Sequence, residues 1–372
     1  MKIAVISNGA RTLLNFRGPL LAEMVRRGHT VLAFAPDHNE DSRTALAELG
    51  VEAVDYAVTR AGTNPLREFG TIIELKRVFR QRQIELCFSY FLKPVIYATI
   101  AAWAAGVPRR YGLIAGLGFA FTKEIGQSPR RQALQSVINV LARFAGARIN
   151  CMMFQNRDDQ AEFIGNGVIL GEKTALVGAT GIDPKDWPET PLPDGPITFL
   201  LVARLLRDKG IAEYVNAARI IKRSHPNTRF LLVGGLDNNP AAFRREEIDA
   251  WVSEGIIEWP GHVEVKPWIA AAHVFVLPSY YREGVPRSTQ EAMAMGRPVV
   301  TTDAPGCRET VVDGLNGYLV PIRNVPALSD AMKSFIIDPS KIRIMGHESR
   351  QKAERDFDVH RQNDRLLACM DL

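Results

Sequence analysis

The sequence predicts an α/β protein of two domains, each a parallel sheet covered on both faces by helices. Three observations carry this. The chain has 372 residues, beyond the size at which a single hydrophobic core keeps growing. Short runs rich in Val, Ile and Leu alternate along its length with amphipathic, helix-length segments, as strands buried on both faces do. Residues 178–198 interrupt that alternation with five prolines and few apolar side chains, which is how a domain boundary reads. Residues 1–180 are therefore expected to form one domain, 181–197 a linker and 198–354 a second domain. A helix at about 355–372 is expected to pack back on the first.

The first half opens with a strand at Lys2–Ser7, a loop Asn8–Gly9–Ala10, and a helix from Pro19 to Arg27 stopped by Gly28. A strand at Val31–Ala35 completes a Rossmann-like βαβ unit. The GxGxxG fingerprint is absent after the first strand, which argues against dinucleotide binding here. A charged helix, Leu66–Gln83, leads to a strand at Glu85–Ser89, and a helix at Pro94–Ala105 leads to a strand at Tyr111–Ile114. The loop AGLGFAFT (115–122) follows, then a long basic helix, and Asn150–Gln155 closes the half as an apolar strand. The second half repeats the pattern. Strands are expected at Thr198–Val202, Phe230–Val233, Ile256–Trp259, Val274–Pro278 and Val299–Thr302, with a helix at Gly210–Ser224 facing Ile211, Val215, Ala218 and Ile221 inward.

Composition is that of an ordinary globular chain. Cys87, Cys151, Cys307 and Cys369 are scattered without a CxxC pair, which argues against a metal knuckle or a disulfide framework and fits a reducing cytoplasm. The N-terminal apolar run is too short for a signal peptide, and no stretch approaches the roughly 18 apolar residues of a membrane span. The chain is thus expected to be soluble or peripheral to a membrane. Net charge is +5, but Leu86–Met153 holds eight basic residues against Glu124 alone. A solvated face explains this. So does attraction to anionic lipid or a phosphorylated acceptor, because Leu134, Val137, Ile138, Leu141 and Phe144 interleave at helical spacing with arginines. No nucleic-acid partner is expected.

Ligands of open parallel sheets sit beyond the carboxyl ends of the strands. In the second half, Arg204 and Lys209 stand across a strand-to-helix turn, where two cations and free helix N–H groups suit a diphosphate. Isolated, they would read as two solvated charges. Gly234–Gly235 leaves room for a ligand after the next strand, and Gly261–His262–Val263 offers backbone to a flat base. Glu283 lies in a loop with Gly284 and Pro286, open to sugar hydroxyls. Glu291 has a structural explanation as well, since Ser288-x-x-Glu291 matches a capping box. Gly306 and Cys307 close a small-residue loop after the following strand. In order along one sheet, these are the parts that hold a diphosphate, a sugar and a nucleoside.

Arg204-x4-Lys209, Gly234–Gly235, and Glu283-x7-Glu291 followed by GRPVVTTDAPGCRETVVDGLNGYLVP resemble the retaining family 4 glycosyltransferases. The resemblance spans nearly the whole chain and is most specific in residues 198–322. It implies the GT-B fold, two Rossmann-like domains facing across a cleft. It also implies that Arg204 and Lys209 hold the donor diphosphate, Glu283 the sugar hydroxyls and Glu291 the ribose. Gly306 and Cys307 would contact sugar and phosphates by backbone, His262 and Val263 would lie near the base, and Gly9–Ala10 would approach the diphosphate. NFRGPL with Arg17, RAGTNPL around Asn64, and GLGFAFT with Gly116 and Gly118 resemble the branch that extends lipid-diphosphate-linked saccharides. Many members carry a histidine after the fourth strand. This chain has SYFLKP there, with Lys93 as the polar substitute.

The resemblance thus implies transfer of a hexose or N-acetylhexosamine from a nucleotide-diphosphate donor, a UDP-sugar, to a lipid-linked acceptor in polysaccharide or exopolysaccharide assembly. The nucleotide sugar is a co-substrate; no cofactor and no metal are expected. Localisation is expected to be cytoplasmic, peripheral on the inner face of the membrane. A nucleotide-sugar 2-epimerase of the same fold and a non-catalytic assembly component are the alternatives. A paired-carboxylate glycosidase fits less well, since hydrolysis needs no cations beside the carboxylates.

Overall fold

A computed structural model describes every residue except 58–64, 118–128, 238 and 240, together with the side chains outside 65–67 and 129–136. It divides into two compact units, Met1–Thr180 with Val359–Leu372, and Gly181–Asp358.

Unit 1 runs β1 (Lys2–Ile6), α1 (Ala10–Arg26), β2 (Thr30–Ala35), α2 (Glu40–Glu48), β3 (Glu52–Asp55), α3 (Pro65–Arg82), β4 (Leu86–Tyr90), α4 (Leu92–Ala105), β5 (Arg109–Ile114), α5 (Pro129–Arg148), β6 (Cys151–Phe154), α6 (Arg157–Gly165) and β7 (Thr174–Leu176). The seven strands lie in the order β3-β2-β1-β4-β5-β6-β7. β1 pairs in parallel with both β2 and β4, so strand order reverses there. A ligand site is expected at such a reversal, beyond the strands' carboxyl ends.

Unit 2 runs β8 (Thr198–Val202), α7 (Ile211–Ser224), β9 (Arg229–Val233), α8 (Arg245–Ser253), β10 (Glu258–Gly261), α9 (Lys266–Ala270), β11 (Val274–Leu277), α10 (Arg287–Ala294), β12 (Val299–Thr302), β13 (Gly317–Val320), α11 (Val325–Ile337) and α12 (Ser340–Asp356). Its order is β10-β9-β8-β11-β12-β13, and β8 pairs in parallel with β9 and β11. The second reversal therefore falls between β8 and β11, which is why the loops carrying Lys209 and Glu283 are neighbours. The last helix, α13 (Val359–Cys369), returns to unit 1, where Leu366 and Leu367 join the core beside Leu20, Met24 and Tyr111.

Four expectations need correction. The first helix begins at Ala10, not Pro19, which lies inside it; Leu13, Leu20, Leu21 and Met24 on its buried face outweigh the one N–H that proline removes. β6 does not close unit 1, because α6 and β7 follow. β10 begins at Glu258 rather than Ile256, since the Ile256 amide is bonded back to the Trp251 carbonyl at the end of α8. The strands expected in the second half end at Val299–Thr302, yet Gly317–Val320 is a further strand, paired with β12.

The proline-rich stretch before β8 is fastened to unit 2. Arg297, 1% exposed, donates to the carbonyls of Thr190, Pro191, Ile269, Ala270 and Met295 and to the Thr190 hydroxyl. Carbonyl dipoles stand in for water around this cation, and burial still pulls its pKa down to about 10.

Candidate active site

Lys209 closes a one-turn 3-10 helix, Arg207–Lys209, after β8, and Gly210 follows at φ +75. A side chain at Gly210 would put its Cβ 2.1 Å from the Pro278 carbonyl oxygen, so only glycine lets this turn seat against the end of β11. The amides of Tyr280 and Tyr281 both donate to the Asp208 carbonyl at 2.9 Å. Those two bonds lock the loop after β8 to the loop after β11.

The lock brings Lys209 onto Glu283. Their side chains form an ion pair, each 12% exposed, with Ser279 Oγ donating to the same Glu283 oxygen at 3.1 Å and the Tyr281 ring 4.8 Å from the ammonium. The two residues read separately from the sequence thus form one pair, and Glu283 is engaged rather than idle. Gly306 packs against them: at φ +77, its missing Cβ would sit 2.1 Å from the Gly284 oxygen and 2.7 Å from that of Glu283. Cys307 follows in right-handed conformation. A left-handed then right-handed pair turns successive N–H groups to one side, a concavity suited to an anion. The Cys307 thiol is buried, and burial pushes its pKa up to about 12, so it takes no part as a nucleophile.

Arg204 lies at the β8 carboxyl end and pairs with Asp237 at 3.0 Å. Both line a cavity of about 760 Å³ with Gly235, Arg245, Trp259, Gly261 and His262. Gly234 is required here, since a Cβ would lie 1.8 Å from the Ala203 oxygen. Trp259 Nε1 donates to the Gly234 carbonyl at 2.9 Å. Val263 follows His262 but does not line this cavity.

Glu291 corrects the capping-box expectation. Pro286, not Ser288, is the N-cap of α10, with no side-chain cap bond; Ser288 Oγ donates to the Val202 carbonyl at 3.1 Å, tying α10 under β8. Glu291 instead accepts from Arg287 Nε at 2.9 Å. Burial raises its pKa, against the lowering effect of Arg287 and Lys266.

In unit 1 the Ala10 amide, at the start of α1, donates to the Asp37 carboxylate at 2.6 Å. An internal anion thus stands where a phosphate was expected, beside Gly9. Arg17 is 1% exposed, with its guanidinium 5.3 Å from the Tyr90 ring, so it is a core residue of the reversal point and not an open acceptor contact. Phe91 leaves β4 at φ +70, a conformation costly for a non-glycine residue. Lys93 then pairs with Glu68 at 2.9 Å. Gly116 makes the turn after β5 at φ +86. Asn64 and Gly118 lie outside the described residues. Among the described residues no three His, Cys, Asp or Glu groups cluster as metal ligands.

Asp37, Asp237, Tyr281 and Arg287 went unnoticed in the sequence. Asp237 had a signal, an acid two residues past Gly234–Gly235 in the loop after β9, the strand next to the one that Arg204 follows. Arg287 had one too, four residues before Glu291 on the same helix; Asp37 and Tyr281 had none.

The family described as glycosyl transferases group 1 matches residues 196–338, and the glycosyl transferase 4-like domain matches residues 17–177. This chain belongs to the group 1 and family 4-like glycosyltransferases. It is 26% identical to the N,N'-diacetylbacillosaminyl-diphospho-undecaprenol alpha-1,3-N-acetylgalactosaminyltransferase of Campylobacter jejuni, over 92% of this chain and 91% of that one. It is 28% identical to the capsular polysaccharide biosynthesis glycosyltransferase CapM of Staphylococcus aureus, over 42% and 41%. The Anabaena protein HepE, solved in complex with UDP-glucose, has the same fold, with a TM-score of 0.77 at 19% identity over 100% of this chain and 99% of that one. The glycosyltransferase therefore has the GT-B fold, one parallel-sheet unit of seven strands and one of six.

Proposed function

We propose that this glycosyltransferase moves a hexose or N-acetylhexosamine from a UDP-sugar to a lipid-diphosphate-linked saccharide, with retained configuration at the sugar, on the cytoplasmic side of a membrane. The observation that carries the donor half is the Lys209–Glu283 pair at the β8/β11 reversal, flanked by the Gly306–Cys307 concavity. A nucleotide sugar can replace these internal pairings on both sides at once: its diphosphate takes the ammonium of Lys209 and the guanidinium of Arg204, and its sugar hydroxyls donate to Glu283. The acceptor half is supported by the similarity to the Campylobacter enzyme over nearly the full length of both chains.

In the step proposed, the bond between the anomeric carbon and the β-phosphate oxygen breaks, and a bond from that carbon to the acceptor oxygen forms on the same face. The acceptor proton passes to the departing phosphate oxygen, so no side chain is needed as nucleophile. Negative charge grows on the diphosphate in the transition state. Lys209 and Arg204 then bind it more strongly than in the ground state, which is the condition for acceleration. These cations supply the charge without a metal, and Glu291 accepts from the ribose.

Product analysis with a UDP-sugar and a lipid-diphosphate-linked saccharide tests this. Acceptor-dependent release of UDP with an α-linked product from an α-linked donor is expected. UDP release with free sugar and no acceptor requirement would overturn the acceptor assignment, and a covalent glycosyl-protein adduct would overturn the mechanism.

A further inference from the structure

α5 is apolar on two sides. Its inner side, Ala142 and Ala145 with Ile138 and Leu141, packs into the core formed with α4, β5 and β6. Its outer side carries Val137, 57% exposed, Val140, 63%, and Phe144, 38%, spaced three and four residues apart and so in one stripe. Trp103 of α4, 46% exposed, extends the stripe by meeting Phe144 edge-on, ring centroids 5.7 Å apart. The Arg148 guanidinium lies 3.4 Å from the Phe144 ring and 4.4 Å from that of Trp103. Arg143 flanks the stripe, its guanidinium on the Asn166 carbonyl. α5 carries four arginines and no acid.

We propose that this stripe is the face on which the enzyme rests on an anionic lipid bilayer. The proposal deepens the reading that the acceptor is lipid-linked, and rests on it for its purpose. Charge complementarity selects the occupant. A helix apolar outward, rimmed by arginines and free of acids, suits the negative surface of a membrane, where each basic residue contributes about 1 kcal/mol. Trp and Arg fit that boundary because each has an apolar body and a polar end. A protein partner fits less well: four side chains fall far short of the roughly 20–30 residues a side of a stable interface. The lipid-facing residues also differ from those the helical spacing suggested. Ile138 and Leu141 face the core, while Val140 and Trp103 take their place.

Co-sedimentation of the full chain with vesicles of phosphatidylglycerol and phosphatidylcholine, containing no acceptor lipid, tests the surface apart from the chemistry. Wild-type protein is expected to sediment with anionic vesicles and far less with phosphatidylcholine alone. Arg143→Gln with Arg148→Gln is expected to weaken partition on the order of thirtyfold, two charges at about 1 kcal/mol each. Val140→Asp with Phe144→Ser should abolish it, while transfer to a short-chain, water-soluble acceptor stays at the wild-type rate. If Phe144→Ser unfolds the chain, Val140→Asp alone carries the test. Equal sedimentation of wild type and Val140→Asp, or none by wild type, would overturn the proposal. So would a concentration-dependent dimer without lipid that Val140→Asp dissolves, which would give the face to a second copy. Loss of transfer to the soluble acceptor with vesicle binding intact would count against the acceptor reading alone.

Discussion

Each unit holds a lysine–glutamate pair beside its strand-order reversal, and the two pairs differ in what surrounds them. Lys209–Glu283 in unit 2 lies among glycines whose missing side chains let the surrounding loops pack closely, with Arg204 at the end of the same β8 strand. Lys93–Glu68 in unit 1 lies between helices α3 and α4, 23% and 11% exposed. Tyr97 is beside it, within reach of the Glu68 carboxylate. Burial, and then that carboxylate, push the Tyr97 phenol well up. Exposure does not separate the two pairs, since Lys209 and Glu283 are 12% exposed each; what differs is that the unit 2 pair is bordered by loops and glycines, where a ligand has room to displace it. A pair wedged between helices is a structural element whose loss leaves a charge stranded.

The largest expected effect follows from that contrast. Lys209→Ala should lower turnover by about 10²–10³-fold, the loss typical for removing one group that stabilises developing negative charge. Measured under single-turnover conditions, an unchanged rate would remove the diphosphate assignment. Lys93→Met should instead lower stability by about 2–3 kcal/mol, somewhat under the cost of breaking a fully buried pair. It should leave UDP affinity as it is, and the double variant Lys93→Met with Glu68→Gln should recover most of the stability. Denaturant unfolding and calorimetric titration check both parts; weakened UDP binding in Lys93→Met would erase the contrast. Gly234→Ala should cost about 2 kcal/mol or more in unfolding, because its Cβ has nowhere to go without moving the Ala203 carbonyl.

The smallest effect is a pH dependence in Glu291. Its folded pKa lies above the ordinary carboxylate value because of burial. A raised carboxyl pKa contributes stability below the unfolded pKa, and that contribution is lost as pH rises through the folded pKa. Wild type should therefore lose stability relative to Glu291→Gln over that interval. Ribose hydroxyls bond best to the ionised form, so nucleotide affinity should rise with pH through the same interval, by less than tenfold. Affinity in Glu291→Gln should be flat. A parallel slope in both proteins would separate Glu291 from the ribose.

The parallel sheets were legible because strands buried on both faces leave unbroken apolar runs, as in FLLV and VFVL. Strands without that signature were not. β3 (EAVD) is an edge strand with exposed positions, and β13 opens on a glycine that must be one, its Cβ position 1.7 Å from the Val299 oxygen. At the site, residue types and their order along unit 2 were legible, because each strand end contributes a short local motif. Pairings were not: Lys209 meets Glu283, 74 residues on, only because β8 and β11 are adjacent. Local rules also misled. Ser288 and Glu291 have the capping-box spacing, yet Pro286 starts the helix and Arg287 claims the carboxylate. Pro19 has the form of a helix start, yet apolar packing on both sides of it carries α1 through.

The comparison between the two pairs turns on one point, that a nucleotide sugar binds unit 2 through Lys209. Thermal unfolding in a panel of UDP- and GDP-sugars tests it most directly, since a ligand held only by the folded chain raises its melting temperature. A rise is predicted with a UDP-sugar in wild type and in Lys93→Met measured from its own baseline, and none in Lys209→Ala. No rise with any nucleotide sugar, or the same rise in Lys209→Ala as in wild type, would contradict it.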